Sequence, residues 1–259
     1  MDYCSAKMAP SRQEYLLNEL KNKYTIRISD ICSVLQVSEM TIRRDIIQLE
    51  KEGKLKRVHG GAVALENNSL QEVLYEQKSC ENKEAKDYIA KFAATLVKAD
   101  ETIFINSGST VLRLFNLIKV KNVKIITNNA FFPLKSISDN LEIISCGGLL
   151  RKESFSLIGN SAIDNIKEIY ADKAFIGIDG VDINRGLTNS VREESQINKT
   201  MIEQTNGEVY VLADSTKIGK MSSFFVSNFE KITAIITDKK LSKNIAKQFT
   251  DSNIKLYLV

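Results

Sequence analysis

In the first part of the chain, apolar residues recur at the three- and four-residue spacing of amphipathic helices. The spacing predicts a helix over residues 12–23, a short second helix, and a third helix over residues 39–52. A capping box of Ser11 and Glu14 indicates where the first helix begins, and Ser38 is placed to N-cap the third. Three helices with a tight turn before the third are typical of a helix-turn-helix.

The segment that follows, residues 53–63, alternates apolar and polar positions and turns on paired glycines, which predicts a two-stranded wing with basic residues. Residues 65–79 are polar and lack a steady period. We therefore expect a winged helix-turn-helix module over residues 8–63, a linker over 64–80 and a second domain over 81–259.

The second domain alternates β-branched runs with amphipathic stretches. The runs predict buried strands that begin near residues 102, 123, 141, 173, 209 and 232, followed by an edge strand over 254–259. Helical spacing predicts helices over residues 83–97, 111–118, 193–204 and 242–249. Alternation of strand and helix predicts parallel βαβ units in an α/β fold.

Composition, with 43% hydrophobic and 26% charged residues, is that of a globular protein. Residues 1–63 hold 11 Lys and Arg against 8 Asp and Glu, which leaves 25 against 24 for the rest, so most of the +4 net charge belongs to the first module. The four cysteines form no C-x-x-C pair, which argues against structural zinc. We expect a cytoplasmic protein with reduced thiols that needs no metal or other cofactor and does not enter a membrane.

Polar residues crowd the start of the third predicted helix, where a recognition helix contacts base edges. A solvated helix face explains Arg43 and Arg44 taken alone, but together with a basic wing they favour DNA binding. His59, the only histidine, is interpreted as a phosphate contact or a solvated turn residue. The candidate DNA contacts are Ser38, Met40, Thr41, Arg43, Arg44, Lys56, Arg57 and His59.

The motif V-S-E-M-T-I-R-R-D at residues 37–45, followed by R-V-H-G-G-A at 57–62, resembles the DeoR family of bacterial transcriptional regulators. The resemblance implies a winged helix-turn-helix with Arg43 and Arg44 at the DNA. One departure is Arg27, which stands where the family usually has a capping hydroxyl. We expect Thr25 or Ser29 to cap the second helix instead.

Polar loops follow five of the predicted strands, at the sheet edge where open α/β folds bind ligands. The loop at residues 106–110, N-S-G-S-T, leads into a helix and suits a phosphate. Each loop alone is explained by a cap or a turn. With Arg151 and Lys217 at the same edge, the set favours a phosphorylated ligand.

These loops also resemble the effector-binding domain of the DeoR family, through S-G-S-T at residues 107–110, G-G-L-L-R at 147–151 and A-D-S-T-K at 213–217. The resemblance implies a Rossmann-like three-layer α/β/α domain, similar to ribose-5-phosphate isomerase and glucosamine-6-phosphate deaminase, and a sugar-phosphate effector. Carried over by position, the effector residues are Ser107, Gly108, Ser109, Thr110, Asn128, Arg151, Asp179 and Lys217. The family usually has Asp at position 106 and Thr at position 109, where this chain has Asn106 and Ser109.

We therefore expect a repressor of carbohydrate-metabolism genes that binds a double-stranded DNA operator as a homodimer or homotetramer and responds to a phosphorylated sugar. One alternative is a sugar-phosphate isomerase that transfers protons through Asp179, Asp182, Glu193, Glu194 and Lys217. Another is a DNA-binding module joined to a purely structural oligomerisation domain. We favour the regulator over the enzyme because the only histidine lies outside the second domain.

Overall fold

The computed structural model describes residues 9–23, 25–58, 60–64, 78, 81–130 and 140–259. The chain divides into two compact units, Met1–Gln71 and Glu72–Val259. Most of the predicted linker lies outside the described residues, so the domain limits stay predictions. The two units are described separately below.

The N-terminal unit is a three-helix module with a small antiparallel sheet of three strands. Its elements are α1 (Ala9–Lys23), β1 (Thr25–Arg27), α2 (Ile28–Leu35), α3 (Glu39–Lys51), β2 (Leu55–Val58) and β3 (Gly61–Ala64). The three predicted helices and the wing hairpin are confirmed. The helices bury one apolar core, formed mainly by Leu16, Leu20, Ile31, Ile42, Ile46, Leu49 and Leu55.

The wing hairpin is joined by a third strand, β1, and this strand was not predicted from the sequence. β1 pairs with β3, and a Cβ added at Gly61 would lie 2.0 Å from the carbonyl oxygen of Ile26. Only glycine therefore allows the two backbones to approach this closely.

Two helix starts differ from the prediction. α1 begins at Ala9, so Ser11 and Glu14 lie inside the helix and the predicted capping box is wrong. The N-cap position of α2 is Arg27 rather than the predicted Thr25 or Ser29, and Arg27 makes no side-chain cap hydrogen bond. The amide of Ile28, the first residue of α2, donates to the carbonyl of Gly60 at 2.9 Å, so the wing backbone satisfies one of the amides at this helix end.

The C-terminal unit is built on β4 (Thr102–Ile105), β5 (Val123–Thr127), β6 (Leu141–Ser145), β9 (Ala171–Gly177), β12 (Thr205–Leu212), β14 (Ala234–Thr237) and β15 (Leu256–Leu258). These strands form a parallel sheet in the order β15-β14-β12-β9-β4-β5-β6. Its helices are α4 (Lys83–Ala94), α5 (Ser109–Phe115), α6 (Asn160–Lys167), α7 (Arg192–Glu203) and α8 (Lys243–Asp251). The predicted strands and their parallel pairing are confirmed.

Both faces of this sheet are covered, which makes a three-layer α/β/α fold. Successive strand residues such as Ile103 and Phe104 belong to different cores because strand side chains alternate between faces. One core includes side chains from α4 and α5, and the other includes side chains from α6, α7 and α8. The fold class predicted from the sequence is confirmed.

Several elements of this unit were missed or misjudged. The elements not predicted from the sequence are α6, the hairpin of β7 (Leu149–Arg151) and β8 (Ser156–Ile158), and the small sheet of β10 (Gly180–Asp182), β11 (Gly186–Asn189) and β13 (Phe224–Ser227). These strands have only three or four residues, too few to show a period. β6 is a half-exposed edge strand rather than a buried one.

Candidate functional site

The first candidate site is the beginning of α3. Ser38 is the N-cap, as predicted, and its Oγ accepts a hydrogen bond from the amide of Thr41 at 3.3 Å. The two hydroxyls also share a hydrogen bond of 2.9 Å. This cap holds the first turn of the helix in place.

Beyond the cap, the side chains of this turn face solvent. Met40 is 72% exposed, and Arg43 and Arg44 are exposed. Arg43 pairs with Glu39 at 3.0 Å, a contact between two exposed side chains. Asp45 is buried and forms an ion pair with Arg12, so it does not share a solvated face with the two arginines.

The remaining predicted DNA contacts belong to the wing. Lys56 and Arg57 are exposed on β2, and the amide of Arg57 donates to Oε1 of Glu50 on α3 at 2.9 Å. His59 lies outside the described residues. The described candidates thus supply exposed cations on the recognition helix and on the wing.

The second candidate site lies at the carboxyl ends of the neighbouring strands β4, β9 and β12. The chain proceeds from β4 to β5 on one side and reaches β9 on the other, so this is the switch point where open α/β sheets bind ligands. A cleft opens there, which we call the central cleft. It is lined by Lys78, Lys86, Asn106, Ser107, Gly108, Ser109, Thr110, Ser154, Gly177, Ile178, Asp179, Asn189, Glu194, Asn198, Leu212, Ala213, Asp214 and Lys217.

The loop between β4 and α5 brings three hydroxyls to the central cleft. Gly108, not a serine, is the N-cap of α5, and no side chain caps this helix. The hydroxyls of Ser107, Ser109 and Thr110 therefore do not serve as its N-cap. Gly108 also packs on β9, since a Cβ added there would lie 3.4 Å from the Cα of Gly177.

Three lysines converge on the central cleft from separate parts of the chain. Lys217 follows β12, Lys86 lies on α4, and Lys78 precedes α4. Nζ of Lys86 donates to the carbonyl oxygen of Lys78. Burial lowers the pKa of Lys86 to about 8, although the nearby carboxylate of Asp214 opposes the shift.

Three carboxylates, those of Asp179, Glu194 and Asp214, also line the central cleft. Asp179 accepts hydrogen bonds from Nζ of Lys78 at 2.8 Å and from Oγ of Ser190 at 2.6 Å. Burial alone would raise the pKa of Asp179, but the Lys78 charge and these hydrogen bonds outweigh it and lower the pKa. Asp214 accepts from Nδ2 of Asn82 at 3.2 Å.

Two of the predicted effector residues do not line the central cleft. Asn128 is buried behind the first loop, where its Nδ2 donates to Oγ of Ser107 at 3.4 Å. Arg151 lies on β7, where it pairs with Glu153 at 3.5 Å and donates to Oγ of Ser154 at 3.3 Å. The other six predicted residues are all among the lining residues.

Several polar residues that line the central cleft were not predicted from the sequence, including Lys78, Lys86, Asn189 and Asn198. The sequence does contain an indication of Lys86, which lies on the apolar face of α4 with Ile89, Ala90 and Ala93. A charged residue is unusual on the buried face of an amphipathic helix. Asn198 occupies a similar buried position on α7.

The residues of the catalytic alternative are divided: Asp179, Glu194 and Lys217 line the central cleft, whereas Glu193 and Asp182 do not. Glu193 is exposed, and Asp182 closes a turn by accepting from the amides of Asn184 and Arg185 at 3.0 Å. In the described part of the chain, no cluster of three or more His, Cys, Asp or Glu could hold a metal ion, and no helix has the length and apolarity to span a bilayer.

Two family models match the chain. The "DeoR-like helix-turn-helix domain" matches residues 12–68, and the "DeoR C terminal sensor domain" matches residues 81–239. The matched segments contain the beginning of α3, the wing, and nearly the whole lining of the central cleft.

Relatives cover almost the full length of the chain. The HTH-type transcriptional regulator GolR of Listeria innocua is 32% identical over 245 residues, which are 94% of this chain and 96% of that protein. The lactose phosphotransferase system repressor of Streptococcus mutans is 33% identical over 244 residues, with 90% and 96% covered. Among solved structures, ribose 5-phosphate isomerase A from Methanocaldococcus jannaschii has a TM-score of 0.39 and 20% identity over 53% of this chain and 55% of that chain.

Proposed function

Because the chain belongs to the DeoR family of DNA-binding transcriptional regulators, we propose that it represses carbohydrate-metabolism genes under the control of a phosphorylated sugar. Two kinds of relative are named as repressors: the lactose phosphotransferase system repressors and the putative aga operon transcriptional repressor of Escherichia coli O157:H7. The full-length relatives are regulators, so the isomerase alternative is set aside. A regulator of bacterial DNA would work in the cytoplasm.

The observation that carries the effector proposal is the convergence of Lys78, Lys86 and Lys217 on a cleft that also contains three hydroxyls. Ammonium groups and hydroxyls suit the charge and the acceptor oxygens of a phosphate. The carboxylates of Asp179 and Asp214 suit the hydroxyl groups of a sugar, which donate hydrogen bonds. A phosphorylated sugar satisfies both sets of groups.

Lys78 also supplies a route from the effector to the DNA-binding module. It belongs to the predicted linker over residues 64–80, and its ammonium already pairs with Asp179. A phosphate that binds Lys78 competes with this pair and acts directly on the segment that joins the two modules. Two modules in a homodimer or homotetramer would read two half-sites, and a change in their spacing would release the operator.

Thermal-shift measurements on the full chain test this proposal. Glucose 6-phosphate, fructose 6-phosphate, ribose 5-phosphate and glucosamine 6-phosphate are compared with their unphosphorylated sugars and with inorganic phosphate. At least one sugar phosphate should raise Tm, because a ligand that binds only the folded state stabilises it. Equal shifts from the unphosphorylated sugar, or no shift with any of them, would contradict the proposal.

Substitutions separate the effector site from a purely structural domain. Lys217→Met should abolish the shift while leaving binding to DNA sites selected from a random library intact. Arg151→Met, whose arginine lies outside the cleft, should cause a smaller loss through its contact with Ser154. An unchanged shift in Lys217→Met would show that Lys217 does not contribute to effector binding, whereas no shift in the wild-type protein would favour the structural alternative.

A further inference from the structure

The side chain of Asn106 bridges the ends of β4 and β9 in one orientation. Its Nδ2 donates to the carbonyl oxygen of Gly177 at 2.9 Å, and its Oδ1 accepts from the amide of Gly177 at 2.8 Å. A peptide N–H only donates and a peptide carbonyl only accepts, so these two bonds assign the oxygen and nitrogen of the side chain. Asn106 is 3% exposed and is held in this position.

The orientation of Asn106 determines that of Asn198. Nδ2 of Asn106 uses its second hydrogen to donate to Oδ1 of Asn198 at 2.9 Å. The oxygen of Asn198 must therefore face Asn106, which leaves Nδ2 on the other branch of its amide. In the described part of the chain this Nδ2 is buried without a hydrogen-bond partner.

Asn198 is also one of the residues that line the central cleft, and its side chain is held on α7 with 2% exposure. A buried amide donor without a partner is unfavourable, so few such groups persist in proteins without a reason. A ligand oxygen that accepts from Nδ2 would remove this penalty.

We propose that Asn198 is a specificity-determining residue of the effector site, and that Asn106 is the positioning residue that presents its donor. This inference rests on the proposed function. Nδ2 of Asn198 donates to an acceptor oxygen on the sugar part of the effector, since the three lysines already supply the charge for the phosphate. A site built around a buried donor discriminates against a ligand that lacks the matching oxygen.

The same geometry explains what Asn106 changes relative to the Asp that the family usually has. A carboxylate at position 106 has no hydrogen to donate to Oδ1 of Asn198. The amide of Asn198 would then turn, so that its Nδ2 donates to the carboxylate and its oxygen faces the cleft. With Asn106 in place, Asn198 therefore offers its Nδ2 donor, rather than its oxygen, to the ligand.

The test uses two substitutions of the same kind in the full-length protein. Asn198→Asp keeps an oxygen to accept from Asn106 but replaces the unpaired donor with an acceptor. Asn189→Asp is the charge control: it lines the same cleft, and its Oδ1 accepts from the amide of Asp179 at 3.3 Å, which a carboxylate also does. Calorimetry gives Kd for inorganic phosphate and for the four sugar phosphates named above.

Both variants should weaken the binding of inorganic phosphate to a similar extent, because both add one negative charge. Only Asn198→Asp should raise the Kd of a sugar phosphate by about tenfold or more beyond its effect on the Kd of inorganic phosphate. Asn106→Asp should reproduce that additional loss without altering Asn198, which covers the case in which Asn198→Asp does not fold.

The outcomes are distinguishable. If the wild-type protein binds sugar phosphates and neither Asn198→Asp nor Asn106→Asp changes their Kd relative to inorganic phosphate, the role of Asn198 is wrong and the proposed function stands. If the wild-type protein binds none of the sugar phosphates, both proposals are overturned.

Discussion

The ammonium of Lys78 donates a hydrogen bond to Oδ1 of Asp179 at 2.8 Å across 101 positions of sequence. The contact ties a residue of the predicted linker to the loop after β9. The carbonyl of Lys78 also accepts from Nζ of Lys86 and from Oγ of Ser109. Both the side chain and the backbone of Lys78 therefore bond to residues that line the central cleft.

Asp179→Asn is expected to lower the unfolding free energy at pH 7 by about 1–3 kcal/mol, because it removes a buried charge-assisted hydrogen bond. The pKa of Asp179 in the folded protein is below its ordinary value of 3.8. The carboxylate therefore stabilises the folded state above that value, and this contribution is lost as the pH falls through the lowered pKa. Urea unfolding at pH 7 and pH 3 checks this; a pH-independent difference would contradict it.

Binding of inorganic phosphate should weaken as the pH rises through about 8, where Lys86 loses its charge. If the charged form is required, the affinity falls by about tenfold for each pH unit above that value. Lys86→Met should bind phosphate more weakly at pH 7 but with little pH dependence between 7.5 and 9. Calorimetry across this range measures both, and a variant that keeps the wild-type pH profile would rule out Lys86 as the titrating group.

Arg44→Ala should weaken DNA binding by about 1–3 kcal/mol at fixed salt while leaving Tm near that of the wild-type protein. Arg44 is exposed on α3, so its truncation should cost little folding stability. Fluorescence anisotropy with DNA selected from a random library gives the Kd. Lys51→Ala, which removes an exposed cation at the other end of α3, is the matched control and should have a smaller effect.

Asp45→Ala should destabilise the N-terminal unit by about 3–5 kcal/mol, because it removes the buried carboxylate that pairs with the guanidinium of Arg12. Hydrogen exchange of the α3 amides in the full chain reports this loss. Replacing both partners, as Arg12→Met with Asp45→Leu, should restore most of the protection. Protection in Asp45→Ala equal to that of the wild-type protein would show that the ion pair is not needed.

Local signals in the sequence were reliable where a few neighbouring residues decide the structure. Ser38 was recognised as an N-cap because the cap and the amide it accepts from are three residues apart. The predicted cap of α2 was wrong because the amide of Ile28 bonds to the carbonyl of Gly60 in the wing, a contact distant in sequence. Rules based on neighbouring residues cannot identify a hydrogen-bond partner that lies far away in the sequence.

The sequence by itself determined the two kinds of module, the alternation of helices with parallel strands, and the loops that reach the carboxyl edge of the sheet. These features follow from periodicity and from strand direction, which are properties of short segments. The tertiary structure alone decided which side chains share the central cleft. Lys78, Lys86 and Asn198 line the cleft, whereas Arg151 and Asn128 do not. The hydrogen bond from Asn106 determines the orientation of the Asn198 amide. A contact such as that between Asn106 and Asn198, 92 positions apart, depends on how the layers pack, and no local pattern encodes that packing.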